Sequence, residues 1–229
     1  ELVTFGICSK DKIEVIPLGF ELERFLEIPP SERTPLNIGI VGRLVPIKNH
    51  RLFLDAASKI IKDNPDMQLN FKIVGEGELR RELQLYCRQL NIGEKIEFLG
   101  WQKDLVTIYS DLDIVALTSL NEGTPVSLIE AMASARVVVA TEVGGVRDLL
   151  GKEIDYGIKP FADFKLLERG ISVKPQDAFS FSQALIFLFQ NKWLRQKMGL
   201  SSRDYVRKRY ARERLIKDIA ILYNKVLIS

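Results

Sequence analysis

The sequence predicts an α/β fold with a mostly parallel sheet flanked by helices, and three observations predict it. Between Leu36 and Val173, short runs of β-branched and small apolar residues alternate with stretches of helical character. Alternation of this kind gives linked βαβ units, whose sheet is parallel and covered by helices. Glycines follow several of the runs directly, at Gly42, Gly75 and Gly100, where a strand has to turn sharply into the next element. Finally, the chain has 229 residues, 46% of them hydrophobic, enough to bury a sizeable core. The fold expected is therefore Rossmann-like.

The elements follow in chain order. Residues 12–17 (KIEVIP) read as a short strand, and the connection after it runs through Pro29, Pro30 and Pro35. Residues 1–35 are thus strand and linker, 36–190 the sheet domain, and 191–229 helices packed on it. Residues 36–41 (LNIGIV) open the sheet and lead through a loop to a helix at about 50–62. Residues 69–74 form the next strand, followed by Gly75-Glu76-Gly77-Glu78 and a helix to about Leu90. Residues 95–99 are a strand ahead of a helix holding Leu105, Ile108 and Tyr109. Residues 113–118 (DIVALT) are an unbroken apolar run bounded by polar residues, hence a buried strand. Residues 126–133 read as a helix, with Pro125 suited to its first turn. Residues 136–141 make a strand, and 142–148 a loop entering a short helix. The pattern loosens over 151–168, for which no role is assigned. Residues 170–173 close the sheet, and 177–190, 191–210 and 211–227 are helices; Ala184, Leu185, Leu188 and Phe189 form a core-facing stripe.

Ligands of open α/β sheets bind at the carboxyl ends of the strands. There, Glu122 lies in a loop and Glu130 about two turns into the following helix, so that two carboxylates can accept hydroxyl pairs from a sugar or ribose diol. The N–H groups of Gly123, Thr124 and Val126 lie near the positive end of the helix dipole, and Gly123 admits a ligand to the main chain. The alternative is a solvated loop Glu and an ordinary helical one. After the first sheet strand, Gly42 precedes Arg43 and Lys48, a planar fork and a point charge that make a diphosphate cradle; two surface cations are the alternative. The single histidine, His50, reads as capping or solvated rather than catalytic. A dinucleotide fingerprint would require glycine where Arg80 stands. Asp111-Leu112-Asp113 has metal-chelating spacing, but Asp113 opens its strand at the end away from the ligand edge, so its role reads as structural.

The segment from Glu122 to Glu130 (EGTPVSLIE), continuing into Ala131-Met132-Ala133, resembles the signature of the retaining glycosyltransferases of family 4. These enzymes have the GT-B fold, two Rossmann-like domains with the active site between them. Gly42-Arg43-Leu44 with Lys48, Gly75-Glu76-Gly77, Phe98-Leu99-Gly100 and Gly144-Gly145 match the family in the same order, and the resemblance covers roughly residues 12–227. It implies the C-terminal half of a GT-B fold with extra C-terminal helices, the N-terminal acceptor domain being absent. It further implies that Glu122 contacts the donor sugar hydroxyls, Glu130 the ribose diol, and Val126 the nucleoside, with Thr124 and Pro125 in the same donor site. Arg43 and Lys48 would neutralise the departing diphosphate, making Arg43, Lys48 and Glu122 the catalytic set. Gly42, Gly75 and Gly77 become candidates to line the nucleotide, though a plain tight turn explains Gly75 and Gly77 equally well. Main-chain groups at Gln102 would meet the base; Trp101 would pack on it or be a partly buried structural residue. The N–H groups of Gly144 and Gly145 would approach the sugar or phosphate. Two residues depart from the family: Ala135 replaces a common Gly, suggesting an altered turn, and Asp148 a frequent Glu.

The formal charge of +3 is mild, and no nucleic-acid partner is expected. Cys8 and Cys87 are far apart in the sequence and read as free thiols in a reducing compartment. No apolar run is long enough to span a bilayer and no signal-peptide pattern is present; with no initiator Met, the chain reads as a fragment. Arg203, Arg207, Lys208, Arg209, Arg212, Arg214 and Lys217 form either a solvated face or a surface for anionic lipid or a lipid-diphosphate acceptor. The expectation is the donor-binding domain of a retaining, metal-independent glycosyltransferase without cofactor, cytoplasmic and peripheral on the inner face of the membrane. It would transfer sugar from a nucleoside diphosphate, UDP favoured, to a saccharide or lipid-linked acceptor in cell-surface polysaccharide synthesis. The alternatives are the nucleotide module of another GT-B enzyme, an epimerase or sugar-phosphate synthase, and a non-catalytic nucleotide sensor.

Overall fold

The computed structural model describes residues 3–7, 9–31 and 33–228, so Cys8 lies outside the described residues. Within them one sheet runs in the order β3-β2-β1-β4-β5-β7-β6. Its strands are β1 (Leu36–Val41), β2 (Leu69–Val74), β3 (Ile96–Gly100), β4 (Ile114–Leu117), β5 (Val137–Thr141), β6 (Phe164–Leu167) and β7 (Gly170–Val173). All neighbours pair in parallel except β6, which runs antiparallel to β7. Every residue of β1, β4, β5 and β7 is buried, as parallel strands covered on both faces must be.

The helices are α1 (Glu23–Leu26), α2 (His50–Asp63), α3 (Arg80–Gln89), α4 (Leu105–Asp111), α5 (Val126–Ala133), α6 (Val146–Leu150), α7 (Ala178–Gln190), α8 (Lys192–Tyr210) and α9 (Arg212–Ile228). One apolar layer joins Phe53, Leu54 and Ile60 of α2 to Phe181, Ala184, Leu185 and Leu188 of α7, which confirms the stripe read on α7 with its outer member, Phe189, only partly buried. The opposite layer holds Tyr109, Leu128, Ile129, Met132 and Leu149. Helix α8 serves both, Leu194 and Met198 entering the first and Val206 and Tyr210 the second. Gly199 permits this passage: a Cβ there would stand 2.3 Å from Ala135 O.

Two expectations are revised. Residues 12–17 do not form a strand; a 3-10 turn at Lys10–Lys12 precedes irregular chain, and the nearest pairing is a single bridge between Phe20 and Ala211. The alternating apolar pattern there has no ladder partner to satisfy. The connection beyond it contains α1, with the preceding Leu22 only 1% exposed. In 151–168, where no element was foreseen, β6 supplies the antiparallel edge. Ala135 holds a left-handed backbone, φ +53, which glycine adopts more easily. Cys87 is free and buried, and burial pushes its thiol up to about 11.

Candidate functional site

Strand order reverses between β1 and β4, which lie side by side while their sequence neighbours lie outward. Such a switch point opens a crevice at the carboxyl ends of the two strands. The loop after β1 carries Gly42, Arg43 and Lys48; the loop after β4 carries Ser119, Glu122, Gly123 and Thr124. They are stitched together: Thr118 Oγ1 donates to Lys48 O at 2.9 Å, and Leu120 N to Ile47 O at 2.8 Å.

Across this seam Lys48 Nζ lies 2.6 Å from Glu122 Oε1, and Ser119 Oγ donates to the same oxygen at 2.6 Å. Arg43 is exposed and its guanidinium has no hydrogen-bond or ion-pair partner among the described residues. The loop after β5 closes the far side, with Gly145 N donating to Glu122 O at 3.1 Å.

The glycines divide into two kinds. A Cβ at Gly75, whose φ is +134, would stand 2.0 Å from Gly42 O, and one at Gly77 2.4 Å from Leu44 O. At Gly144, with φ +45, it would stand 1.9 Å from Glu122 O, and at Gly145 2.0 Å from Gly123 O. These four let one loop press its backbone on another. Gly123 is different: nothing lies within 4 Å of its Cβ position. With Thr124 and Val126 it forms an exposed stretch at the start of α5, while Pro125 is buried. Pro125 stands one position before the helix rather than within its first turn, and its carbonyl accepts from Leu128 and Ile129 N.

Glu130 is half-buried, and burial raises its carboxyl above the ordinary range, opposed by the Tyr109 hydroxyl. That hydroxyl lies 3.0 Å from Glu130 Oε2 and 2.9 Å from Ser127 O. Tyr109 and Ser119 are contacts that sequence reasoning missed; each sits on an unremarkable stretch, and only the fold brings it to a glutamate.

Gln102 turns its side chain to its own main chain, Nε2 donating to Leu99 O at 2.7 Å. Trp101, read as partly buried, is 70% exposed, because it follows the last residue of β3 where no helix covers it. His50 is neither solvated nor a cap. It is 1% exposed, both ring nitrogens lack a hydrogen-bond partner, and burial, then the Lys48 charge, lowers its pKa to about 4. Asp111 and Asp113 lie at the opposite edge as read, bound to Lys72, Arg33, Ser31 and the Asn37 N–H. Of the C-terminal cations, Arg203 donates to Ala133 O and Ile28 O, Arg214 to Pro17 O and Leu18 O, and Arg212 and Arg207 pair with Glu21 and Asp204. Arg203, Arg212 and Arg214 join distant parts of the chain, Arg207 pairs only within its own helix, and Arg207, Lys208, Arg209 and Lys217 are exposed. No helix among the described residues is long and apolar enough to cross a membrane.

Comparison with known proteins places this arrangement. The chain is 31% identical over 205 residues to the Escherichia coli UDP-Gal:alpha-D-GlcNAc-diphosphoundecaprenol alpha-1,3-galactosyltransferase, a match covering 82% of this chain and 49% of that protein. The chain spans about half the length of the curated relatives it matches first. Among solved structures, Anabaena Alr3699/HepE in complex with UDP superposes with a TM-score of 0.78 at 18% identity, over 97% of this chain and 60% of that one. The C-terminal domain of a Francisella tularensis glycosyl transferase group 1 protein, LpcC, superposes with a TM-score of 0.65 at 25% identity, over 86% of this chain and 96% of that one. The profile of the glycosyl transferases group 1 matches residues 35–191, which include β1, the switch-point loops and the whole of α7, and the chain belongs to that family.

Proposed function

We propose that this chain is the donor-binding half of a retaining, metal-independent glycosyltransferase. The observation that carries the reading is the charge at the switch point: the loops that follow β1 and β4 hold a guanidinium without a partner among the described residues, the bridged Lys48–Glu122 pair and the exposed start of α5. As the bond between sugar and diphosphate breaks, negative charge grows on the leaving group, and Arg43, Lys48 and the first N–H groups of α5 stabilise it. Glu122 orients the sugar through its hydroxyls, and Glu130 accepts the ribose diol. Uridine is the favoured base, supported by the name of the Escherichia coli relative and the UDP in the Anabaena structure. A partner domain supplies a saccharide or lipid-linked acceptor, in keeping with the diphosphoundecaprenol acceptor named for that relative. Lys208, Arg209 and Lys217 are the cations left to meet an anionic membrane face.

Calorimetric titration with UDP, GDP and ADP in the presence of EDTA tests this reading. One diphosphate is expected to bind, and Arg43→Ala and Glu130→Ala should each weaken it by about tenfold or more, the worth of a charge-assisted hydrogen bond. Failure of all three to bind, or affinities indifferent to both substitutions, overturns the reading.

A further inference from the structure

The donor reading assigns Lys48 and Glu122 to two different parts of one ligand, yet here they are bonded to each other at 2.6 Å, with side chains 23% and 10% exposed. Withdrawing one partner from a pair so far removed from water leaves the other charge unmatched, which is strongly unfavourable. Loop movement does not relieve the pair, because the main chain is pinned on both sides. Lys48 O and Ile47 O accept from Thr118 Oγ1 and Leu120 N. Glu122 O accepts from Gly145 N, and Ser119 O from Thr141 Oγ1 at 2.6 Å. The exchange that remains is one of side-chain partners. A bare diphosphate replaces only the carboxylate beside Lys48, and a free sugar replaces only the ammonium beside Glu122. A sugar nucleotide replaces both.

On the basis of the donor reading, we propose that the Lys48–Glu122 ion pair is an exchange lock that makes the site read diphosphate and sugar jointly. The diphosphate takes Lys48, and the freed carboxylate takes the sugar hydroxyls. Ser119 is the positioning residue that holds Glu122 in place while its partner changes, since its hydroxyl stays on Oε1 after Lys48 leaves. The specificity that follows is discrimination against the sugar-free nucleotide, which is also the product of transfer. The lock therefore favours release of spent diphosphate, because Glu122 competes for Lys48 once the sugar has gone.

The test titrates the 229-residue chain with UDP, UDP-galactose and UDP-glucose, alongside GDP and ADP. Glu122→Gln removes the competing charge while keeping the shape, and should bind UDP about tenfold tighter than the unsubstituted chain while losing the preference for the sugar nucleotide. Ser119→Ala should weaken the UDP-hexose several-fold more than it weakens UDP, and Ser119→Thr should restore the difference; a merely structural serine would shift both ligands equally. Thermal midpoints establish that each variant is folded, and Glu122→Ala, read in the same way, serves if Glu122→Gln is not. If the unsubstituted chain binds UDP and both Glu122 variants bind it no tighter, the lock is overturned and the donor reading stands. If no nucleotide binds any form, the donor reading falls and the lock with it.

Discussion

One sheet presents charged residues at both of its edges, and the two edges treat charge in opposite ways. At the amino edge, Asp113 Oδ2 accepts from Asn37 N at 2.6 Å while Arg33 Nε stands 3.7 Å from Oδ1. Asp111 holds Lys72 at 2.6 Å, and Arg33 also donates to Ser110 O and Asp111 O at 2.7 Å. Arg136, 1% exposed, donates to Tyr109 O and Pro29 O, both at 2.8 Å, leaving only Nη1 without a partner. This network ties Pro29, Ser31 and Arg33 to the sheet, and its charged groups are engaged by the protein itself. At the switch point of the carboxyl edge the pattern differs: Lys48 is bridged to Glu122 across the two loops, and the Arg43 guanidinium has no partner among the described residues. A cluster of ions is therefore a poor marker of a site by itself; what marks it is charge left free, or paired in a way that a ligand can replace.

The largest effect expected from this contrast is at Asp113. Its burial raises the carboxyl pKa, and Ser31, the Asn37 N–H, Arg33 and Arg136 work against that rise. Asp113→Ala leaves the Asn37 N–H and the Ser31 hydroxyl without their side-chain acceptor and removes the negative charge that faces Arg33 and Arg136, and should cost about 3–5 kcal/mol of stability in urea denaturation. Nucleotide affinity of the folded protein should stay unchanged, the reverse of Arg43→Ala. Were Asp113→Ala to weaken nucleotide binding while the urea midpoint held, the division between the two edges would be wrong.

His50 sharpens the comparison from the other side, because it is a buried, unpartnered group close to Lys48. Its folded pKa of about 4 lies below the ordinary 6.5. As pH falls, the unfolded chain therefore takes up a proton first. The stability resting on the neutral ring is complete above about pH 6.5 and is lost between there and about pH 4, an effect on the order of 3 kcal/mol. Denaturation midpoints across that window should fall steeply for the native chain and less steeply for His50→Leu. An identical acid slope in both would remove His50 from the account.

Much of this was legible from the chain, for reasons that differ by element. The strand at 69–74 and the helix at 126–133 were read to the residue because each has a period matching its structure and a sharp boundary, Gly75 after one and Pro125 before the other. The strand at 12–17 was misread because alternation speaks only of local preference and a strand needs a neighbour. Helix α1 and strand β6 were missed because four residues carry too little period to register. At the site, residue type and spacing singled out Glu122, Glu130, Arg43 and Lys48 but left bland alternatives open, and it was the resemblance to family 4 that gave them roles. Their mutual contact was not legible, since Lys48 and Glu122 are brought together only by the pairing of β1 with β4. Gly75 and Gly77 were read either as lining the nucleotide or as a plain tight turn, and Gly144 and Gly145 as approaching the sugar or phosphate; the structure shows that all four allow loop backbone to press on loop backbone.

Strand β5 carries the contrast between the edges in a single element, and it provides the smallest effect. Ala135 at its amino end and Gly144 beyond its carboxyl end both have positive φ, +53 and +45. A methyl group at Gly144 would lie 1.9 Å from Glu122 O, so Gly144→Ala must push the Glu122 loop away, and should lose more than about 2 kcal/mol together with nucleotide binding. At Ala135 the methyl is already present and 7% exposed. Ala135→Gly relieves about 1–2 kcal/mol of left-handed backbone energy. Against this, it gives up about 0.8 kcal/mol of buried methyl and loosens the unfolded chain by roughly 0.4–1 kcal/mol. The terms cancel to within about 1 kcal/mol, so the thermal midpoint should move by no more than about 4 °C, with nucleotide affinity intact. A larger fall would show that the Ala135 methyl is packed as tightly as the charges beside it, and that the amino edge is held by shape as much as by ions.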